Sequence, residues 1–216
     1  MCYDKESSLR SFGFAAIVCG LLWLRNNPGD RVITTMWPVV MGMQLVEYVL
    51  WENQSCNKNN HFASVTAEIL LTLQPLAVLG AIIIFGNSFV PKRALYSILY
   101  LCLTVTSIYL AYYVNAANKL KLCTLTGPSN HLVWDHKKPT QMIPIWLTKT
   151  TTIIYYSIPL LLFTIKNKLM GLVTGGMLYA SCLYSYFTQV KNSDEWKSYW
   201  CWLVNYLTAI PLIANA

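Results

Sequence analysis

The chain has 216 residues, 55% of them hydrophobic and 12% charged, against about 25% charged in an ordinary soluble domain. That balance argues against a water-soluble fold, and no stretch outside the apolar runs is long enough for a second folded domain of about 50 residues or more. The formal net charge of +7 is spread over the connections and one apolar segment, which suits anionic lipid headgroups as partners and does not suit nucleic acid. No period-2 alternation points to an outer-membrane barrel.

In chain order, mostly apolar runs cover residues 11–24, 32–51, 64–85, 94–116, 143–165, 169–190 and 196–214, and a bilayer needs about 20 such residues per helix. These seven runs predict an all-α polytopic transmembrane bundle forming a single domain over residues 1–216. The first run is expected to stay as a span, because Asp4 and Glu6 precede it and no small-x-small cleavage pattern follows Trp23. Residues 25–31, 91–93 and 166–168 carry turn chemistry and make short connections. The N-terminal tail, residues 52–63, the long loop 117–142 and residues 191–195 fall on the opposite, tail-side face.

Orientation is not decided by charge: the short connections carry six basic residues and the tail side nine. Asn53-Gln54-Ser55 is a glycosylation sequon on the tail side, and Cys2, Cys56 and Cys123 lie there too. An oxidising compartment would permit a Cys56–Cys123 bridge, and free thiols are the alternative. Trp51, Trp146, Trp196 and Trp200 map to the same boundary as an aromatic belt. The expectation is a tail outside or in a lumen and a cytoplasmic C-terminus.

Ionisable residues inside spans cost roughly 2.5–3.5 kcal/mol each at the bilayer centre, so each needs a reason. Glu47 and Glu68 lie about 6 Å from the tail-side boundary and Lys149 about 9 Å, at about 1.5 Å of rise per residue. Similar depths on three helices predict a polar chamber open to the tail side. Gln44 and Glu47 share one stripe, Glu68, Thr72 and Pro75 a second, Lys149, Thr152 and Tyr156 a third, and Trp202 and Asn205 a fourth. The competing reading has Lys149 snorkelling to the headgroups, with both acids as local structural pegs. Gln74 lies about 120° around its helix from Glu68 and belongs to a helix contact. Pro75, Pro159 and Pro211 kink helices or expose carbonyls, and Gly171 with Gly175 makes a close-packing pair.

Other chemistries lack their parts. His61, His131 and His136 all sit in tail-side loops, so a membrane-embedded zinc hydrolase has no ligands; His131, Asp135, His136 and His61 could make a loop zinc site, but solvated histidines are the commoner outcome. The last span has no lysine in its core for a retinal Schiff base. No phosphate loop or nucleophile elbow occurs, and no cofactor is expected.

Met43-Gln44-Leu45-Val46-Glu47 ending at Trp51, Leu73-Gln74-Pro75, His131-Leu132-Val133-Trp134 and Trp200-Cys201-Trp202 before Asn205 resemble an uncharacterised family of small seven-helix membrane proteins of large DNA viruses and some algae. The resemblance implies seven helices and a viral origin, supplies no catalytic assignment, and draws attention to Glu47, Gln74, His131, Trp134 and Asn205.

The leading expectation is a channel or carrier for a small ion, proton or polar solute. Glu47 and Glu68 act as acceptors, Lys149 as counter-charge, and Gln44 and Asn205 as hydrogen-bonding wall; a homo-oligomer is compatible with this. The rivals are a ligand-binding receptor or sensor, and a structural protein of a virion or organelle membrane. An enzyme is the least expected.

Overall fold

The computed structural model describes residues 4–128, 130–135, 137–189 and 196–214. Among the described residues the regular structure is helical apart from one two-stranded hairpin. The order is α1 (Lys5–Arg25), α2 (Pro28–Glu52), α3 (Lys58–Phe85), α4 (Lys92–Leu120), β1 (Leu125–Thr126), β2 (Leu132–Val133), α5 (Lys137–Gln141), α6 (Ile145–Ser157), a 3-10 segment (Ile158–Thr164), α7 (Lys168–Gln189), α8 (Trp196–Leu207) and α9 (Ala209–Ala214). Helices α1 to α4 are long and apolar enough to cross a membrane.

Capping chemistry sets the first boundaries. Asp4 accepts the Ser7 N–H at 2.7 Å to start α1, and Asn26 ends it in the left-handed region at φ 63°. The expected turn at residues 25–31 is much shorter than its composition suggests. Asn27 and Asp30 form a capping box with Pro28 at the first helical position, so most of the turn-like sequence is already the first turn of α2. Asn57 caps α3 by accepting from the Asn60 N–H at 2.9 Å.

The expected fifth and seventh spans are each broken. Pro159 has no N–H to continue the α6 ladder, and the backbone tightens into the 3-10 segment from Ile158. The carbonyl of Asn205 accepts both the Thr208 hydroxyl at 2.6 Å and its N–H at 3.3 Å, closing α8 ahead of α9. Gly171 and Gly175 let α7 approach the 3-10 segment: a Cβ would stand 2.5 Å from the Leu162 carbonyl oxygen at Gly171 and 2.8 Å from the Phe163 ring at Gly175.

Helices α2 and α3 form the centre. α2 packs on α1, α3 and α8, and α3 packs on α2, α4, α6 and the 3-10 segment; α7 and α8 complete the circuit back to α1. The main core joins Trp37 and Met36 of α2, Leu22 of α1, Leu79 and Ile82 of α3 and Leu162 of the 3-10 segment, all nearly inaccessible. The outer surface is apolar as well: Leu24 is 80% exposed and Phe187 73%, as lipid contact requires and water does not favour.

The three short connections share one end. Asn27, Gly29, Gly86, Asn87, Lys166 and Asn167 line one cavity there, and an isolated bridge joins Ser88 to Ile165. At that end Arg25 makes a two-pronged pair with the buried Asp30, at 2.6 and 2.9 Å, and also donates to the carbonyls of Pro211 and Leu212. At the opposite end Lys5 of α1 pairs with Glu52 of α2 at 3.0 Å. The long loop folds over this tail side.

Candidate functional site

A cavity of about 320 Å³ lies towards the tail-side end, between α3, α4, α6, α7 and α8. One wall follows from helical spacing: Thr148, Thr151, Thr152 and Tyr155 of α6 stand at i, i+3, i+4 and i+7 and all face it. Thr151 donates back to the Leu147 carbonyl at 3.0 Å and Thr152 to that of Thr148 at 2.9 Å, so their hydroxyls are satisfied within the helix. The Thr148 hydroxyl is buried and has no hydrogen-bond partner among the described residues.

The facing wall is α3 with α4. Glu68 lines the cavity and accepts from the Tyr109 phenol at 2.8 Å, and the Tyr109 ring stacks on Tyr113 at 6.0 Å between centroids. Glu68 is the acidic side chain of the cavity among the described residues. Trp134, from the long loop, lines the mouth while being only 4% exposed, and its indole N–H likewise lacks a partner among the described residues.

Tyr155 and Trp200 close the inner end, ring centroids 6.3 Å apart and nearly perpendicular. The Tyr155 phenol donates to the Gln74 side-chain carbonyl at 3.0 Å, and the Trp200 indole to the Ser181 hydroxyl at 3.0 Å. Deeper in the bundle lies a smaller, apolar space of about 50 Å³ walled by Met36, Val40, Pro75, Val78 and Leu178.

The long loop is pinned across the tail-side end. Cys56 and Cys123 form a disulfide, with Cα atoms 5.1 Å apart. Beside it the buried Asn60 side chain accepts the Thr124 N–H at 2.8 Å and donates to the Thr124 and Asn53 carbonyls at 2.7 Å each. Gln54 accepts both the N–H and the hydroxyl of Thr126. The hairpin pairs Leu125 with Val133 and Thr126 with Leu132, which delivers Trp134 to the cavity mouth. His131, next to it, is 1% exposed, and burial holds its pKa below the usual histidine value.

The expected trio does not meet. Lys149 is exposed on the outside of α6, with no ion pair among the described residues. The physical reason is its angle: it is about 100° around the helix from Thr148 and about 200° from Thr151, whose side chains face inward. It lies one turn from the start of α6. Glu47 is fully buried but does not line the cavity; it accepts from Gln44 at 3.2 Å on α2, beside a cluster that includes Met43, Val46, Trp134 and Cys201. Asn205 is also fully buried away from the cavity and donates to the Cys201 carbonyl of its own helix at 3.1 Å. Of the proposed ligand-binding residues, Glu68 alone faces the cavity.

Other expectations divide similarly. Gln74 is the helix contact its angular position implied. Trp200 turns inward to the cavity instead of joining an interfacial belt, whereas Trp146 is 60% exposed. The Asn53 side-chain amide, the sequon's attachment atom, donates to the Val49 carbonyl at 2.8 Å. His136, Cys2 and the 191–195 connection lie outside the described residues; among those described, no three His, Cys, Asp or Glu side chains converge as a metal site.

Sequence reasoning missed Tyr109, Thr148, Thr151 and Tyr155 as cavity residues. The spacing of Thr148, Thr151, Thr152 and Tyr155 gave no clear signal by itself, because Lys149 and Thr150 put polar groups on other faces of the same segment. Compared with protein-family models, with curated proteins and with solved structures, the chain matches none.

Proposed function

We propose that the chain is a seven-span membrane carrier whose tail-side chamber binds a small polar or charged solute at Glu68. The broken segments support the span count. α6 with the 3-10 segment covers Ile145–Thr164, α7 has 22 residues, and α8 with α9 covers Trp196–Ala214. At about 1.5 Å per α-helical and 2.0 Å per 3-10 residue, each reaches about 28–34 Å, comparable to the hydrocarbon core. The disulfide at the tail side supports an outside or lumenal orientation for that face.

The observation that carries the reading is the chamber itself: a carboxylate and a wall of hydroxyls around about 320 Å³, where polar groups are costly unless they serve a pathway or a partner. Tyr155 and Trp200 stand between this chamber and the smaller apolar space, an arrangement that suits alternating access better than a continuous pore. Glu68 is the binding group. Gln44, Glu47 and Asn205 are interior structural pairs, and Lys149 anchors α6 at the headgroups.

The test is solute flux with the full chain in liposomes. Glu68→Gln abolishes flux in a folded protein, whereas Lys149→Met leaves it unchanged; undiminished flux in Glu68→Gln overturns the assignment. One observation favours a receptor as second reading: the disulfide and the Asn60 network hold the lid over the cavity at several points. Saturable binding without any flux would select it.

A further inference from the structure

We propose that the short-connection end of the bundle carries a binding site for the headgroup of an anionic phospholipid, held between Lys92 and Lys166. The inference needs only that α3 and α4 cross a bilayer, for which both are long and apolar enough. It is independent of the carrier reading.

The site is built by two connections that lie far apart in the chain. The Phe89 N–H donates to the Thr164 carbonyl at 2.9 Å and the Lys166 N–H to the Asn87 carbonyl at 3.1 Å, around the antiparallel bridge of Ser88 with Ile165. These bonds hold the two connections together as one unit. Between that unit, the end of α3 and the start of α4 lies a cavity of about 450 Å³, lined by both Lys92 and Lys166. Helix α4 begins at Lys92 without a side-chain cap, and the positive end of its dipole adds to the field of the two ammonium groups.

That field is uncompensated. No acidic side chain lines the cavity among the described residues. Asp30 stands in the adjoining cavity, which shares Asn87 and Lys166, but Arg25 meets its charge at 2.6 Å. Lys92 and Lys166 are exposed, and neither side chain makes an ion pair among the described residues. Two ammonium groups at one cavity without a counter-charge suit a phosphate oxyanion, and basic pockets between helix ends at the membrane surface recognise anionic headgroups by this chemistry.

The rest of the lining separates a lipid from a free phosphate. The Ser88 hydroxyl is already paired with that of Thr164 at 2.6 Å, and Ile82, Ile83, Val90 and Leu95 make an apolar floor. Inorganic phosphate has no use for such a floor, whereas the glycerol and first methylenes of a phospholipid cover it. Phe89, at the same cavity, is 63% exposed and continues the apolar wall outward. The volume of about 450 Å³ falls within the range of about 300 to 1,000 Å³ of small-molecule sites, enough for a glycerophosphate headgroup.

The experiment is lipid retention by the full chain in native mass spectrometry, with phosphatidylglycerol and phosphatidylcholine of identical acyl chains as probes. One phosphatidylglycerol is retained about tenfold more tightly than phosphatidylcholine. Lys92→Gln with Lys166→Gln removes that preference. Val90→Trp, which fills the cavity and leaves the charge unaltered, removes it too. Arg93 and Lys168 line neither cavity, so Arg93→Gln with Lys168→Gln takes away the same charge nearby and keeps most of the preference. Equal retention of the two lipids overturns the site. Equal loss in the two charge pairs overturns it in favour of diffuse attraction to a basic end, as does an unaltered preference in Val90→Trp. Excess inorganic phosphate, with ionic strength matched by chloride, leaves the lipid bound; displacement would identify a free-phosphate site and overturn the lipid assignment. If Val90→Trp does not fold, the two charge pairs, all four of them exposed side chains, still decide.

Discussion

The Tyr155 phenol of α6 donates to the Gln74 side-chain carbonyl of α3 across 3.0 Å, and this bond joins the floor of the polar chamber to the apolar space below it. Both cavities are lined by Tyr155, so the bond stands where a moving barrier between the two ends of the bundle would have to break.

Removing one partner should therefore cost more than removing both. Tyr155→Phe leaves the 8%-exposed Gln74 without its donor and should destabilise the protein by about 1–3 kcal/mol. Tyr155→Phe with Gln74→Leu should recover most of that loss. Thermal unfolding of the three variants in one detergent measures the difference, and equal losses in the single and double variants would count against the bond.

At the other end, Asp30 is fully buried and its charge is met by Arg25, which also holds the Pro211 and Leu212 carbonyls. Arg25→Ala leaves an uncompensated buried carboxylate and should cost about 3–5 kcal/mol. Arg25→Lys should recover only part, because an ammonium cannot make the two-pronged contact and reach α9 together. Cross-linking between residues near 25 and 212 should fall in parallel with stability.

Reduction of Cys56–Cys123 should loosen the lid before it unfolds the bundle. The bridge spans 67 positions, worth about 4 kcal/mol in the chain-entropy model, an upper bound here because α3 and α4 already pack side by side. Hydrogen exchange over residues 121–135 should rise on reduction, while that of α2 and α3 should not. Uniform change across the chain would contradict a local role.

Burial lowers the His131 pKa, so the folded lid favours the neutral imidazole. The unfolded histidine binds a proton near pH 6.5, so as pH falls below that value the unfolded state takes up more protons and lid stability drops; above it the contribution is fully present. The protection factors of the lid amides, taken relative to the intrinsic exchange rate at each pH, should fall from pH 7.5 to 5.5 in the native chain. The fall should shrink in His131→Gln.

Much of this was legible beforehand. The first four apolar runs correspond to helices long and apolar enough to cross a membrane, the fifth and seventh are each broken, and the short connections meet at one end, as a chain reversing direction at each of them requires. The depth of Glu68 and its stripe with Thr72 were readable, and both residues line the cavity. The facing of the charges was not legible: similar depth does not imply proximity, since Glu47 accepts from Gln44 of its own helix and Lys149 turns outward. Depth is a count along the chain, whereas facing depends on rotation about each helix, about 100° per residue.

Local composition by itself determined where helices form, how far they reach and where they stop, because length, capping residues and prolines act within a few positions. Which side of each helix looks inward was left to the packed bundle. Lipid tolerates an apolar surface as well as the interior does, so hydrophobic periodicity loses its power to mark the buried face. Only the seating of α3 against α4 and α6, and of the loop over all three, turned Glu68, Trp134 and the threonine stripe into one site.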